Sequence, residues 1–299
     1  MDPIKRFETI HEYNVFNNNE TLHPLVSIVD LSKATPRSGS KMYFGFYTIF
    51  VKEVKCGDIV YGRQTYDYQE GTLVFLAPGQ TAGVNSKGEI YQPKGYALVF
   101  HPDLIIGTPV AKRIKEYAFF SYQSNESLHL SKKEREIIFD CFSKIKYELE
   151  QTIDKHSKKL IAANIELLLD YCLRFYDRQF LTREYVHKGV MSKLDEVIAN
   201  YFISEKLSSI GFPTVAYCAQ ELHLSASYFG DLVKKETGKS AQEYLQHAIV
   251  QLAKEKIVDY NKSISEIAYE LGFKYPQHFS RFFKNAVGAT PQEYRQQQN

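Results

Sequence analysis

The sequence contains no apolar run that reaches the roughly 18 residues a membrane-spanning helix needs. Its first residues also lack the basic and then apolar pattern of a secretory signal peptide. Four cysteines are scattered along the chain without Cys-x-x-Cys spacing, at Cys56, Cys141, Cys172 and Cys218. We therefore expect a reduced, cytoplasmic protein that has no membrane segment.

An excess of charge of either sign is also missing. The chain carries 37 basic and 35 acidic side chains, and residues 192–299 hold twelve of each. The global charge therefore gives no indication of nucleic-acid binding, and any such indication must be local.

The residues from about 25 to 106 are typical of short strands. Five runs are rich in β-branched and aromatic residues and are separated by Gly- or Pro-containing turns. These runs are Leu25–Leu31, Tyr43–Val54, Ile59–Tyr68, Thr72–Leu76 and Tyr96–Phe100. Many short, closely spaced strands predict a small barrel or sandwich, and we expect its aromatic residues to be core rather than ligand contacts.

Helical spacing begins after about residue 110. Ser131-x-x-Glu134 is a capping box, and it precedes apolar residues at Ile138, Cys141, Phe142, Ile145 and Leu149. A second apolar stripe follows at Ile161, Ile165, Leu168, Cys172 and Phe175. This second stripe could form a dimer seam or pack on its own domain, and the pattern leaves both readings open. The charged segment Asp177–Gly189 predicts an interdomain linker, with helix resuming at Ser192.

Segment 215–244 repeats as segment 264–294. The offset is 49 residues before one inserted residue and 50 after it, and Gln242-Glu243-Tyr244 is identical to Gln292-Glu293-Tyr294. In each copy the apolar residues have spacing i, i+3, i+4, i+7 around a small residue, Ala219 or Ala268. This pattern predicts two short helices around a tight turn, which is a helix-turn-helix unit.

Signals at the ends of these helices agree. His223 and Gly272 suit a turn with positive φ, Ser225 and Pro276 suit the start of a second helix, and Gly238 and Gly288 suit its end. Between the copies, residues 240–259 predict one helix of about 28 Å. Such a spacer would hold two recognition helices about one DNA turn apart, roughly 34 Å. One protomer should then bind an asymmetric site.

The second helix of the later copy has an acid-free polar stripe. Its members are Gln277, Ser280, Arg281 and Lys284, and Lys274 precedes them. Arginine pairs bidentately with guanine and glutamine with adenine, whereas lysine binds phosphate. We expect Gln277, Ser280 and Arg281 to read bases and both lysines to contact phosphates.

The corresponding stripe of the earlier copy contains Ser227, Gly230, Asp231 and Lys234. Asp231 could accept a hydrogen bond from cytosine, but it also repels phosphates. We expect Ser227 and Asp231 to contribute little base readout. Ser225, Lys234 and Lys235 should contact phosphates.

Residues 263–273, 276–284 and 288–295 resemble the signature of the AraC/XylS family of bacterial transcription regulators. The resemblance spans about the last 100 residues and implies two helix-turn-helix units, promoter DNA as ligand and the transcription machinery as partner. In the later copy, the residues at the positions that read bases in the family are Gln277, Ser280 and Arg281. In the earlier copy, the residues at these positions are Ser227, Gly230 and Asp231. Family members often have larger hydrogen-bond donor side chains there.

Residues 71–79 resemble, more loosely, the cupin-like sensor domain of that family. The resemblance implies an α+β multidomain chain: a cupin-like β-barrel at 1–112, a helical dimerisation or connector region at 113–186, and a DNA-binding domain at 187–299 with units at about 214–238 and 263–288. It also implies a homodimer and control by a small-molecule effector. Ala82 stands where many such domains have histidine, and the nine histidines form no His-x-His pair, so we expect neither a metal nor another cofactor.

Two alternatives belong to other classes. A cupin enzyme with a DNA-binding tail is disfavoured because metal ligands and nucleophile arrangements at motif spacing are missing. We therefore expect no enzymatic activity, and we expect His101 to be a structural loop residue. A regulator whose N-terminal half serves only dimerisation or a partner protein remains open.

Overall fold

The computed structural model describes residues 4–52, 58–61, 64–66, 71–85, 89–123, 126–182 and 184–298. The chain divides into two units, residues 1–182 and 183–299. Within the described ranges, no helix is long and apolar enough to cross a membrane.

The first unit is built on β-sheets. Its strands are β1 Lys5–Phe7, β2 Val26–Asp30, β3 Arg37–Ser38, β4 Lys41–Phe44, β5 Tyr47–Lys52, β6 Asp58–Tyr61, β7 Gln64–Tyr66, β8 Thr72–Leu76, β9 Gln80–Asn85, β10 Ile90–Tyr91, β11 Tyr96–Phe100 and β12 Leu128–His129. One five-stranded sheet has the order β1-β4-β9-β6-β7 and the other has the order β12-β8-β5-β11-β2. Strand β3 pairs with β10. The pairing of β1 with β4 is parallel and the other pairings are antiparallel.

The two larger sheets share one apolar core. Phe44 of the first sheet and Val99 of the second lie in it, together with Tyr13 of helix α1 (Ile10–Phe16), and each is at most 1% exposed. Alternation along the strands directs these side chains to one face. The sheet-rich region is thus confirmed, and within the described ranges its strands form two open sheets and a short pair rather than a closed barrel.

Two predicted strands are each divided. Tyr43–Val54 overlaps the end of β4 and contains β5, and these two strands belong to different sheets. The break falls at Gly45, where a Cβ atom would lie 2.7 Å from Glu8 Oε2, so the chain turns at a close approach to its neighbour. The run Ile59–Tyr68 contains the antiparallel pair β6 and β7. Residues 53–54 and 67–68, like Cys56, lie outside the described residues.

Four helices complete the first unit: α2 Pro102–Ile105, α3 Pro109–Arg113, α4 Lys132–Leu149 and α5 Ser157–Thr182. The predicted capping box of α4 is confirmed, because Glu134 N donates to Ser131 Oγ and Ser131 N donates to the Glu134 carboxylate. The apolar stripes of both long helices are buried. In α5 every member of the stripe is at most 5% exposed within its own chain, so this stripe packs on its own unit and is not a dimer seam.

The prediction that helix resumes at Ser192 is wrong. Helix α5 continues to Thr182 and the next helix, α6, begins at Glu184. Long-range contacts stabilise the end of α5: Gln179 accepts from His129 N at 2.8 Å and donates to Ser127 O at 3.1 Å. The proposed domain boundaries at residues 112 and 186 stay predictions.

The second unit is helical. Its helices are α6 Glu184–Ile203, α7 Lys206–Ile210, α8 Val215–Glu221, α9 Ala226–Thr237, α10 Ala241–Ile257, α11 Ile264–Glu270, α12 Pro276–Val287 and α13 Pro291–Gln297. The predicted spacer helix is α10, and it contributes to two cores. Leu245 packs with Ala219 and Phe229, whereas Ala253 packs with Ala268 and Phe279. One helix therefore belongs to the interiors of both repeat copies.

Candidate nucleic-acid interface

Both copies adopt the predicted helix-turn-helix geometry. His223 and Gly272 have φ values of 57° and 79° at equivalent turn positions. Gly238 and Gly288 end α9 and α12 in the left-handed conformation. Since positive φ reverses the chain direction without a long loop, the second helix of each copy can cross the first closely.

The starts of the two second helices differ. Ser225 Oγ accepts from Tyr228 N at 3.1 Å and caps α9. Pro276 occupies the first turn of α12, and the preceding residue, Tyr275, makes no side-chain cap. Pro276 removes one backbone N–H that would have no partner inside the helix.

Helix α12 has an apolar side and a polar side. Phe279 and Phe283 are fully buried, whereas Gln277, Arg281 and Lys284 are exposed. Two members of the pattern are half-buried: Ser280 and Phe282. Helical spacing predicts that Phe279, Phe282 and Phe283 are all buried, but Phe282 packs at the edge of the core, with its ring 5.5 Å from that of Phe273.

Several basic side chains in and beside the later copy form ion pairs or hydrogen bonds within the chain. Lys256 Nζ lies 2.9 Å from the Glu270 carboxylate, and Lys262 also donates to it. Hydrogen bonds from Lys262 and then Lys256 hold the pKa of Glu270 below its usual value. Arg295 Nε donates to Ile257 O at 2.6 Å, at the end of α10. These three cations stabilise the fold and are poor candidates for phosphate contacts.

The remaining cations are Lys274, Arg281 and Lys284, and all three are exposed. Within the part of the chain that the structure describes, none of them has a carboxylate within the 4.0 Å of an ion pair. The same surface therefore carries three positive charges that form no ion pair, beside a glutamine amide, although Lys284 attracts the Glu293 carboxylate over a longer distance. It offers both charge for phosphate and directional donors for base edges.

The earlier copy offers a weaker surface. Helix α9 buries Phe229, Leu232 and Val233, the residues that helical spacing predicts for its inner side. Its outer side has exposed Lys234 and Lys235 but half-buried Ser227 and Asp231. Gly230, between the last two, adds no side chain. One carboxylate thus lies at the centre of this face.

Sequence reasoning missed His278. It is exposed on α12, and its ring centroid is 5.3 Å from that of Tyr275. The spacing could have indicated it, because residues 278, 281 and 285 are spaced by three and four and share one face of α12. Asn285 is exposed at the same spacing.

The N-terminal candidates have structural contacts. His101 Nδ1 accepts from Asp103 N at 3.3 Å at the start of α2. Phe75 is 3% exposed and its ring lies 4.4 Å from that of Phe119. In the described ranges, no three His, Cys, Asp or Glu side chains are grouped as metal ligands would be.

Comparisons with known proteins agree with this geometry. Residues 218–297 match the family described as a helix-turn-helix domain. The chain is 27% identical over 130 residues to the HTH-type transcriptional regulator YobQ of Bacillus subtilis, covering 39% of this chain and 53% of that protein. It is 35% identical over 117 residues to the transcriptional regulatory protein YesN of the same organism, covering 37% of this chain and 29% of that protein. The chain thus spans about half or less of these curated relatives.

Among solved structures, the C-terminal domain of the response regulator YesN from Fusobacterium nucleatum is 26% identical. The match covers 36% of this chain and 98% of that domain, with a TM-score of 0.31. The family resemblance of the last hundred residues is confirmed by the family match: the C-terminal region of this chain carries a helix-turn-helix domain of the AraC type.

Proposed function

We propose that this chain is a sequence-specific DNA-binding transcription regulator. The observation that carries the proposal is helix α12, whose buried phenylalanines fix it while Gln277, Arg281 and Lys284 face outward and form no ion pair with any acidic residue that the structure describes. The helix-turn-helix match and the relatives named as transcriptional regulators support it.

In this proposal α12 enters a major groove. Gln277, Ser280 and Arg281 contact base edges near the start and middle of the helix, where recognition helices approach the bases. Lys274 and Lys284 lie to either side and contact phosphates. His278 and Asn285, on the neighbouring turns, extend this contact surface.

Helix α9 anchors the adjacent groove. Lys234, Lys235 and the Ser225 hydroxyl contact phosphates, since Ser225 lies at the N-terminus of α9, where helices favour anions. Ser227 and Asp231 add little base readout, since both are half-buried and one is anionic.

The N-terminal unit serves as the sensor in this proposal. Its two sheets share a core and leave a cavity beside it, as expected for a cupin-like domain that holds a small-molecule effector. Helix α5 exposes Leu160 and Leu167 on a side away from its buried stripe, and we assign the homodimer contact to that side. A unit that only dimerises would show no stabilisation by any small molecule.

The proposal is tested by selecting duplexes from a random pool with the full chain at moderate salt. We expect enrichment of one asymmetric sequence and a specific affinity well above that for scrambled DNA. Lys193→Ala is the control for substitutions of Arg281 and Lys284, because Lys193 is exposed on α6, outside both polar stripes. It should leave the affinity for DNA unchanged. A full chain that ignores every duplex even at low ionic strength would refute the proposal.

A further inference from the structure

The first unit contains a cavity with mixed walls. The cavity is open to solvent at its mouth, and it has a volume of about 60 Å³. Its apolar wall comes from Leu31, Met42, Phe44 and Phe50. Its basic wall comes from Arg37, Lys52 and Lys94. No acidic residue is among the described residues that line it.

Arg37 is held in place on one side only. Its Nη2 donates to Asn17 Oδ1 at 3.0 Å, and its guanidinium lies 4.2 Å from the centroid of the Phe16 ring. Asn17 is fully buried and donates to Tyr13 O at 2.8 Å, so the partner that orients the guanidinium is itself fixed. Residues on α1 and just after it therefore set the direction of this side chain.

Two other nitrogens of Arg37, Nε and Nη1, are buried and make no hydrogen bond. A buried cationic donor without an acceptor is unfavourable and usually indicates a missing water, ion or ligand. Tyr91 lies opposite Arg37 in the pairing of β3 with β10 and also lines the cavity. The guanidinium therefore lies beside the cavity and has two nitrogens whose N–H groups make no hydrogen bond.

The positive charge around Arg37 is reinforced by its neighbours. Lys52, which lines the same cavity, is only 5% exposed. Lys5 Nζ lies 3.7 Å from the centroid of the Phe16 ring that Arg37 also contacts. Burial, and then the charge of Arg37, lower the pKa of Lys5. The region thus favours an anion, which would accept hydrogen bonds from arginine and reduce this repulsion.

We propose that this cavity binds a small organic anion, with one carboxylate or phosphate group on an apolar body. The acid group binds Arg37 and Lys52, and the body packs against Met42, Phe44 and Phe50. This ligand class rests on the sensor role proposed for the same cavity, but it does not depend on DNA binding, because all the residues involved belong to the first unit.

The test measures binding to the full chain by calorimetry and thermal shift. Phenylacetate and phenyl phosphate are the probes, phenylacetamide is the neutral control, and inorganic phosphate lacks the apolar body. We expect at least one of the two aromatic acids to raise the melting temperature with increasing concentration. The amide and inorganic phosphate should each bind at least about tenfold more weakly than the acid. The amide lacks the charged group that binds Arg37, and inorganic phosphate lacks the apolar body.

Variants assign the binding to this cavity. Arg37→Gln should weaken binding of the acid about tenfold or more, because a charged hydrogen bond is lost. Lys41→Gln is the control, since Lys41 is exposed on the same strand as the cavity residue Met42 and does not line the cavity. Should Arg37→Gln fail to fold, Lys52→Met provides the same test.

Four results would overturn the inference. They are no binding of either aromatic acid at millimolar concentration, equal binding of acid and amide, equal binding by wild type and the folded variant, and equal affinity for an aromatic acid and inorganic phosphate. The last result would show that the apolar wall does not contribute to binding. Binding of the selected duplex is measured on the same samples, so a failure of the DNA-binding proposal is seen separately.

Discussion

Gly272 and His223 occupy equivalent turn positions, but their surroundings differ. A Cβ atom on Gly272 would lie 2.2 Å from the Leu207 carbonyl oxygen, in addition to the cost of its positive φ. We expect Gly272→Ala to lower the unfolding free energy by at least about 2 kcal/mol. Urea denaturation followed by far-UV circular dichroism measures this change.

His223→Gly is the matched control for that substitution. It relieves a non-glycine residue at φ 57°, so its effect on stability should be within about 1 kcal/mol. Equal losses of stability in Gly272→Ala and His223→Gly would show that the close approach to Leu207 is not what requires the glycine.

Arg281 is expected to read a base. Its side chain is exposed and has no ion-pair partner in the described part of the chain, so removing it leaves the fold intact. Arg281→Ala should cost about 1–3 kcal/mol of specific binding and relax the preference at one base pair. Competition binding against all four bases at each position of the selected site measures this. Equal loss on selected and scrambled DNA would reject the readout role.

Lys284 is expected to act differently although it lies on the same helix, one turn later. A phosphate contact carries no sequence information, so Lys284→Ala should weaken selected and scrambled duplexes alike. The slope of log affinity against log salt should become shallower by about one. Titrations at several salt concentrations show this. A change in base preference with an unchanged slope would contradict the assignment.

At the scale of the element, the helix-turn-helix units were predictable because their signals are local. Caps, turn residues and apolar spacing near Ala219 and Ala268 specify each short helix without reference to the rest of the chain. The end of α5 was missed because its stability comes from contacts about fifty residues away, such as those of Gln179. The division of Tyr43–Val54 was missed for a similar reason, since Glu8, which lies against Gly45 at the break, is distant from it in sequence.

The candidate site shows the same limit. The outward direction of Gln277 and Arg281 follows from helical spacing alone. Helical spacing does not predict the intramolecular contacts of Lys256, Lys262 and Arg295. Their partners depend on how α10, α11 and α13 pack. The cavity beside Arg37 was not predicted either, since it joins residues that are distant in sequence.

The exposed leucines of helix α5 indicate how two copies of the chain associate. Leu160 and Leu167 are 44% and 42% exposed and are seven residues apart, so they share one side of the helix. We expect Leu167→Glu to shift the full chain toward monomer without lowering its melting temperature. Sedimentation velocity measures the shift.

The adjacent residue supplies the control for Leu167→Glu. Leu168 is fully buried, so Leu168→Ala should lower stability by about 2–5 kcal/mol instead. A Leu167→Glu variant that sediments like the wild type at the same concentrations would place the dimer contact elsewhere.

For the whole molecule, α10 fixes the relation between the two recognition helices. Both repeat cores include this helix, so the copies cannot turn or separate without opening one of them. A rigid pair should require a fixed spacing between its two half-sites. Since the copies follow head to tail, the two half-sites should also have the same orientation along the DNA.

Insertions between the half-sites test this rigidity. Five added base pairs rotate one half-site by about half a turn, and ten restore the face but add about 34 Å. We expect both insertions to reduce affinity to the level of the later half-site alone, because α10 can neither twist nor lengthen. Scrambling the later half-site should cost more than scrambling the earlier one, since Gly230 and Asp231 offer little readout there. Restoration of binding by ten base pairs would mean that the half-sites are bound by separate, flexibly linked bodies, and α10 would then not be the spacer.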